Sequence, residues 1–335
     1  MNYKELCKRK WNSIAKPLNG MGILEDYTAK IAEIQQTLDI DIKRKCVAVM
    51  CADNGIVAEN VTQTGSEVTA IVAENIMNGK ASVTNMAKVI GADVFAYDVG
   101  MITDVDGIQR YKVAYGTENF IKSSAMTREQ ALTVIQYGID IVGKLKADGY
   151  NLIASGEMGI GNTTTSSAVA SVMLDVPVKD VTGRGAGLSA DGIQRKIHVI
   201  KEGIRINKPD KTDPVDVLAK VGGYDIAAMC GLFLGGEVHK VPIIIDGFIS
   251  SVSALLAVKI NPAAADYMLA SHMSAEPAAV MVMNELGFTV PLRCGMALGE
   301  GTGAVALMPL LDMALAVYTN MPVFSDTNIE EYKPL

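Results

Sequence analysis

The chain has 335 residues, 49% of them hydrophobic and 20% charged, enough apolar material for one large domain or two moderate ones. A net charge of −7 without a long basic run speaks against nucleic acid and anionic membranes as partners. Five cysteines with no CxxC pair, and three histidines with no ligand spacing, argue against a disulfide frame or a metal site and fit reduced thiols in the cytoplasm.

The start, MNYKELCKRKW, lacks the apolar core of a signal peptide. Residues 1–42 read as helical, with Ile31, Ile34 and Leu38 on one face, and LNGMGILEDY at 18–27 as a loop leading into the helix. CVAVMC at 46–51 is a continuous apolar run, as in a strand buried on both faces. Asp53, Asn54 and Gly55 follow at its carboxyl end, where ligands of open α/β sheets gather. Gly65 to Ile90 predicts two helices broken at Asn78-Gly79, and Asp93 to Val99 a second strand. Residues 127–147 predict an amphipathic helix with Thr127 as N-cap and Leu132, Ile135, Ile139 and Val142 as its buried stripe.

LIASGEMGIGNTTT at 152–165 is the stretch richest in chemistry. Leu152, Ile153 and Ala154 read as the end of a buried strand, and a helix begins at Thr163. A glycine-rich turn between them aims backbone N–H groups and a helix dipole at one spot, which suits an anion. Gly156-x4-Gly161 followed by Asn162 and Thr163 is a phosphate loop with asparagine in the lysine position, which favours a monophosphate over a nucleoside triphosphate. An ordinary tight turn is the plain alternative, but Glu157 is costly beside an anion site without a partner or a task.

Gly183, Gly185 and Gly187 form a second cluster without the GxGxxG spacing, and read as a loop. Asp191 to Ile206 is a helix with Arg195 and Lys196 near its start, against the dipole preference. A nearby anion would explain them, as would an exposed solvated face. Val221 to Gly235 reads as a tightly packed helix, VPIIID at 241–246 as a strand ending on Asp246, and Ile249 to Val258 as a helix. Asp266 to Ser271 predicts another strand, and Ser274 caps a helix running to about Leu286. A third glycine cluster, LGEGTGA at 298–304, frames Glu300, and Thr302 caps the apolar stretch GAVALMPLLDMALAVY. That stretch reads as too short for a membrane span and, with Pro309 and Asp312 inside it, as a buried helix. The alternation from 46 to 286 predicts an α/β fold with one doubly wound parallel sheet, residues 43–302. Residues 1–42 and 303–335 are expected to pack together as a small helical domain. Glu157 and Glu300 form a carboxylate pair suited to acid–base work, with no competing Ser-His-Asp, Cys-His or metal constellation.

Five segments then carry a resemblance: GEMGIGNTTTSSAV, KVGGYDIAAMCGLFLGG, PIIIDGFISSVSAL, SHMSAEPAA and LGEGTGAVALMPLLDMALAVY. Together they resemble the nicotinate-nucleotide–dimethylbenzimidazole phosphoribosyltransferase family, in family order, from about residue 20 to residue 320. The resemblance implies a Rossmann-like sheet, a dimer with sites near its interface, and transfer of phosphoribose from nicotinate mononucleotide to a small aromatic acceptor in cobamide synthesis. It implies no cofactor and no metal. Matching the family pattern places Gly159, Gly161, Asn162 and Thr163 in the phosphate turn. Gly185 and Lys196 fall near that phosphate, Asp246 at the phosphate–ribose site, Glu157 near the ribose and leaving base, and Glu300 as general base. Thr64, Met158 and Leu298 are expected to line the acceptor pocket.

The departure lies at 60–90, where TQTG and KASVTN carry more hydroxyls than the family's usual run. Dimethylbenzimidazole is the first expectation for the acceptor. Phenol or p-cresol, used by relatives that work as two paralogous subunits, is the second. A non-catalytic partner subunit is a rival reading, against which the retained Glu300 and GIGNTT loop speak. The missing dinucleotide fingerprint counts against a NAD-dependent dehydrogenase.

Overall fold

The computed structural model describes residues 2–185 and 187–332. Met1, Ala186 and the last three residues lie outside the described residues, and with them small parts of the helical ends and of the second glycine cluster.

Six parallel strands form one sheet: β1 (Lys45–Ala52), β2 (Asp93–Gly100), β3 (Gln109–Arg110), β4 (Leu152–Met158), β5 (Ile243–Ile245) and β6 (Met268–Ala270). Their order is β3-β2-β1-β4-β5-β6, so the chain reverses its direction of travel across the sheet between β1 and β4. β1 is buried throughout. Its Cys46, Ala48 and Met50 face one apolar cluster, and its Val47, Val49 and Cys51 the other, as the pleat requires.

The helices are α1 (Tyr3–Ser13), α2 (Ile23–Gln35), α3 (Glu67–Met77), α4 (Ser82–Ile90), α5 (Arg128–Ala147), α6 (Asn162–Leu174), α7 (Val178–Val181), α8 (Ala190–Asn207), α9 (Pro214–Val221), α10 (Tyr224–His239), α11 (Phe248–Ile260), α12 (Ala279–Leu286) and α13 (Thr302–Asn320). The first face of the sheet is covered by α5, α6 and α9 to α12, the second by α2, α3, α4 and the first half of α13. This is the doubly wound α/β architecture. A third cluster joins Cys7, Trp11 and Ile14 to Ala29, Ala32 and Tyr318, so helices from both ends of the chain pack together.

Several elements differ from their sequence reading. Residues 1–42 hold two helices, because Pro17 and the left-handed Asn19 and Gly22 interrupt the run. β4 continues through Ser155, Gly156 and Glu157 to Met158, so Glu157 is a strand residue. β5 and β6 are shorter than their apolar runs. The helix after Ser274 starts only at Ala279, because the chain first turns at 275–278. On α5 the buried stripe is Ala131, Val134, Ile135, Gly138, Ile141, Val142 and Leu145, while Leu132 is exposed and Ile139 half-buried. The face was chosen by close packing on α10: a Cβ on Gly138 would lie 2.1 Å from the Ala228 carbonyl oxygen, and one on Gly231 1.9 Å from that of Ile135. Finally, α13 is 19 residues long and apolar enough to cross a bilayer by length and composition, contrary to the sequence reading. Half of its apolar window is buried here, with Ala304, Leu307, Met308 and Leu311 in the core beneath the sheet.

Candidate active site

The cleft opens at the carboxyl ends of β4 and β5, next to the reversal of strand order between β1 and β4. Its floor is the turn from β4 into α6. Gly161 is the N-cap at φ 93°, a left-handed conformation glycine adopts without strain. Two side chains pin the turn from behind: the Ile160 N–H donates to Thr69 Oγ1 at 3.1 Å, and Asn54 Nδ2 donates to the Ile160 carbonyl at 3.3 Å. The first turn of α6 thus presents its N–H groups and dipole to the cleft.

Lys196 Nζ donates to Thr163 Oγ1 at 2.8 Å and to the Gly183 carbonyl at 3.3 Å. Its side chain is fully buried, and burial pulls its ammonium down to about 8, with Glu276 pulling the other way. A buried cation behind a helix N-terminus gives this corner the positive potential that an anion site requires.

Carboxylates gather at the other end. Asn162 Nδ2 bridges Glu157 Oε2 and Asp225 Oδ2, the latter at 3.0 Å. Burial raises Glu157 to about 8, helped by the neighbouring charges of Asp225, Asp246 and Glu300 and opposed by the Asn162 hydrogen bond. Glu157 is therefore mostly protonated at neutral pH. Burial likewise lifts Asp225 to about 6. Glu300 follows the glycine loop at φ 60°, and its Oε2 accepts from the Val83 N–H at 3.0 Å, at the start of α4. The loop rests on β4: a Cβ on Gly156 would come within 2.5 Å of the Glu300 carbonyl oxygen, and one on Gly299 within 2.5 Å of Glu157 Oε1. Two carboxyl groups from distant segments thus share one rim, one buried and one half-exposed.

Of the residues singled out in the sequence, Thr64, Glu157, Met158, Gly159, Gly161, Asn162, Thr163, Gly185, Asp246, Leu298 and Glu300 all line this cleft. Lys196 stands one layer back, behind Thr163. Asn162 does not point its side chain at the anion corner, because the two buried carboxylates claim its amide. Asp246 is turned from the ligand reading in one respect: its Oδ1 accepts from the Ala304 N–H at 2.9 Å, so it caps the start of α13, and burial raises it to about 6. Asp53 and Asn54 do not line the cleft; Asp53 accepts from the Ile102 N–H at 2.7 Å.

Sequence reading missed Asp225, Glu276, His272, Arg184 and Ser274. The last four line the cleft, Arg184 from the second glycine cluster and His272, Ser274 and Glu276 from one stretch after β6. The signal for Asp225 was the Gly222-Gly223 pair before it, since a Cβ on Gly223 would sit 2.5 Å from Asp225 Oδ1. Among the described residues no three His, Cys, Asp or Glu side chains gather as a metal site requires.

A family model described as phosphoribosyltransferase matches residues 1–329. The nicotinate-nucleotide–dimethylbenzimidazole phosphoribosyltransferase of Clostridium acetobutylicum is 46% identical over 330 residues, 98% of this chain and 94% of the relative. The chain belongs to that family. The enzyme of the same name from Ruminiclostridium cellulolyticum is 45% identical over 331 residues, 98% of this chain and 94% of its own. The crystal structure of CobT from Thermus thermophilus superposes with a TM-score of 0.93 at 32% identity, covering 99% of this chain and 100% of that one. Family membership makes the chain a phosphoribosyltransferase, and the Rossmann-like fold is common to both structures.

Proposed function

We propose that this enzyme transfers the phosphoribosyl group of nicotinate mononucleotide to 5,6-dimethylbenzimidazole, giving nicotinate and the α-ribotide used as the lower ligand of cobamides. The observation that carries the reading is the polarity of the cleft. One end is an anion corner built from the α6 N-terminus, Thr163 and buried Lys196; the other is a rim of Met158, Leu298, Glu157 and Glu300. A donor with one phosphate fits the first, and a flat aromatic acceptor the second. The names of the relatives point the same way.

In this reading the acceptor nitrogen attacks C1′ from the face opposite nicotinate, and Glu300 takes the ring proton as the new C1′–N bond forms. The old C1′–N bond breaks with its electron pair going to the pyridinium nitrogen, so nicotinate leaves without protonation and C1′ inverts. Glu157, beside the ribose and departing ring, shields the positive charge that develops on the sugar once it ionises. No step draws on a metal or cofactor.

A phenolic acceptor is the second reading, favoured by Thr62, Gln63 and Thr64 on the cleft wall. Residues 1–42 and 303–335 are read as a small helical domain beside a large one of 43–302, the chain as a cytoplasmic protein with reduced thiols, and the assembly as a homodimer or a heterodimer with a paralogue. One assay tests the function: purified protein with nicotinate mononucleotide and a panel of benzimidazoles, adenine, phenol and p-cresol, with ribotides identified by mass. Dimethylbenzimidazole ribotide is the expected main product. No nicotinate release with any acceptor would instead favour a non-catalytic partner subunit.

A further inference from the structure

Asp225 belongs to no step above and does not line the cleft. It is fully buried at the start of α10, where its Oδ1 accepts from the Ile226 N–H at 3.0 Å. Capping that helix explains one oxygen. The other goes to Asn162, whose Nδ2 donates to Asp225 Oδ2 at 3.0 Å and also to Glu157 Oε2. Two glycines clear the space: a Cβ on Gly159 would come within 2.6 Å of Asp225 Oδ2, and one on Gly223 within 2.5 Å of Oδ1. Glu157 turns its remaining oxygen, Oε1, toward Gly299 of the rim. That oxygen has no hydrogen-bond partner among the described residues and is not closed off from water.

The NH2 end of a side-chain amide offers two protons, and its oxygen offers none. Asn162 gives both protons to carboxyl oxygens from two different elements. Turned over, its oxygen would meet the same two groups, and a charged Asp225 would repel it. Burial raises Asp225 only to about 6, so it is ionised at neutral pH, while Glu157, raised to about 8, is mostly neutral. Oε2 of Glu157 accepts from Asn162, which favours Oε1 as the oxygen that carries the proton. The proton is then held on the cleft side.

We infer that Asp225 is a positioning residue: acting through Asn162, it keeps Glu157 protonated on its cleft side until the donor arrives, so that binding of nicotinate mononucleotide expels that proton. The inference rests on the phosphoribosyl reading above. In that reading the donor brings its pyridinium cation beside Oε1, and a positive charge there favours the carboxylate. The Oε1–H bond breaks, its electron pair stays on the oxygen, and the proton passes to water. Asn162 goes on donating to Oε2. The other groups facing Glu157 are Asp246 from the end of β5, Glu300 from the rim and the Cys51 thiol from β1, with Asp53 beyond Asp225. All of these are acidic, so the charge that draws the proton off comes from the ligand.

The test counts the protons exchanged when nicotinate mononucleotide binds with no acceptor present, by calorimetry in buffers of different ionisation heat from about pH 6 to 9. Lys196 and the phosphate exchange protons too, but they are common to every protein compared. The difference between wild type and Glu157→Gln therefore reports Glu157, and should be a release of about half a proton or more near neutral pH. Each further variant is read against its own Glu157→Gln partner, and thermal melts confirm that it is folded. In Asp225→Asn the amide oxygen can still accept from Asn162, so the charge alone is lost, and the release curve should move down by about one pH unit. In Asn162→Ala the hydrogen bond that favours the carboxylate is lost, and the curve should move up instead. Opposite displacements support the inference. A curve that stays in place in either folded variant overturns it and leaves Asp225 a cap for α10. Should Asp225→Asn not fold, Asn162→Ala decides alone. Equal exchange in wild type and Glu157→Gln overturns this inference only. If the wild type bound no nicotinate mononucleotide, the functional reading would fall too.

Discussion

Glu300 has two claims on its carboxylate: the Val83 N–H in the structure and the acceptor proton in the proposed reaction. Glu300→Gln separates them, because the amide oxygen can still cap α4 while the base is gone. Turnover should fall about 10²–10⁴-fold, in kcat more than in KM, with an unchanged melt. A near-normal kcat in steady-state kinetics would leave Glu300 only a brace for α4. Glu157 offers a test through pH. Its folded value of about 8 lies above its ordinary 4.5, so between these limits the native state holds a proton that the unfolded chain has lost. Stability from this group is thus highest at low pH and falls as pH rises, by at most about 1.4 kcal/mol per pH unit. Asp225 and Asp246 act in the same direction, but only up to about 6. Lys196, pulled down to about 8, acts oppositely above that pH, and buried His272, lowered from 6.5, acts oppositely below it. Lys30, also pulled down to about 8, joins Lys196, so between pH 6.5 and 8 it is the comparison with Glu157→Gln, in which both lysines are common, that isolates Glu157. Denaturant titrations should show Glu157→Gln flattening the decline there; an equal slope in both proteins would show that Glu157 ionises freely.

At the scale of elements, the turn into α6 makes the sharpest demand. A Cβ on Gly161 would come within 2.8 Å of Val57 Cγ2, and φ 93° is a poor conformation for valine. Gly161→Val should weaken nicotinate mononucleotide binding by about 10-fold or more, the effect of a displacement worth about 1.4 kcal/mol, and calorimetry on the folded variant measures it. Unchanged affinity would remove the turn from the anion site. This turn was legible in the sequence, as were β1, β2, the break between α3 and α4, and Glu300 between its glycines, because each rests on local chemistry. The stripe of α5 was not. Period and hydrophobicity point to Leu132, yet the helix buries Ala131 and Gly138, since contact with the glycines of α10 rewards small residues over large ones. Asp225 and Glu276 were equally hidden: each gains its role from a neighbour far along the chain, Asn162 and Gly185. Asp246 was placed at the right strand end, but nothing local announced that α13 would start on top of it.

On the scale of the whole molecule, the reversal between β1 and β4 explains why segments from 61 to 300 meet in one cleft. A ligand that bridges them should steady the entire fold. At 100 times its dissociation constant, nicotinate mononucleotide adds about 2.7 kcal/mol. With roughly 2.1 cal/mol/K of unfolding entropy per residue, that raises Tm by about 4 °C for a chain of this length. Calorimetric melts with and without the nucleotide measure this, and no shift at saturating concentration would count against the cleft as its site. The helix α13 spans the same distance in another way. Its first turns follow Glu300 and lie under the sheet, while the Tyr318 ring near its far end packs tilted against Trp11, centroids 5.2 Å apart, in the cluster of the two chain ends. A straight rod of that kind would carry every disturbance at Trp11 into the rim. Pro309 sits between the two halves and has no N–H to give the Val305 carbonyl, so the rod contains a joint. Such a joint would let the terminal cluster shift without moving the glutamate. Trp11→Phe should accordingly lower Tm while leaving kcat near that of the parent. In a Pro309→Ala background, where the missing hydrogen bond is restored, the same change should reach kcat, and kinetics on the four proteins of that cycle would show whether insulation is what the proline provides.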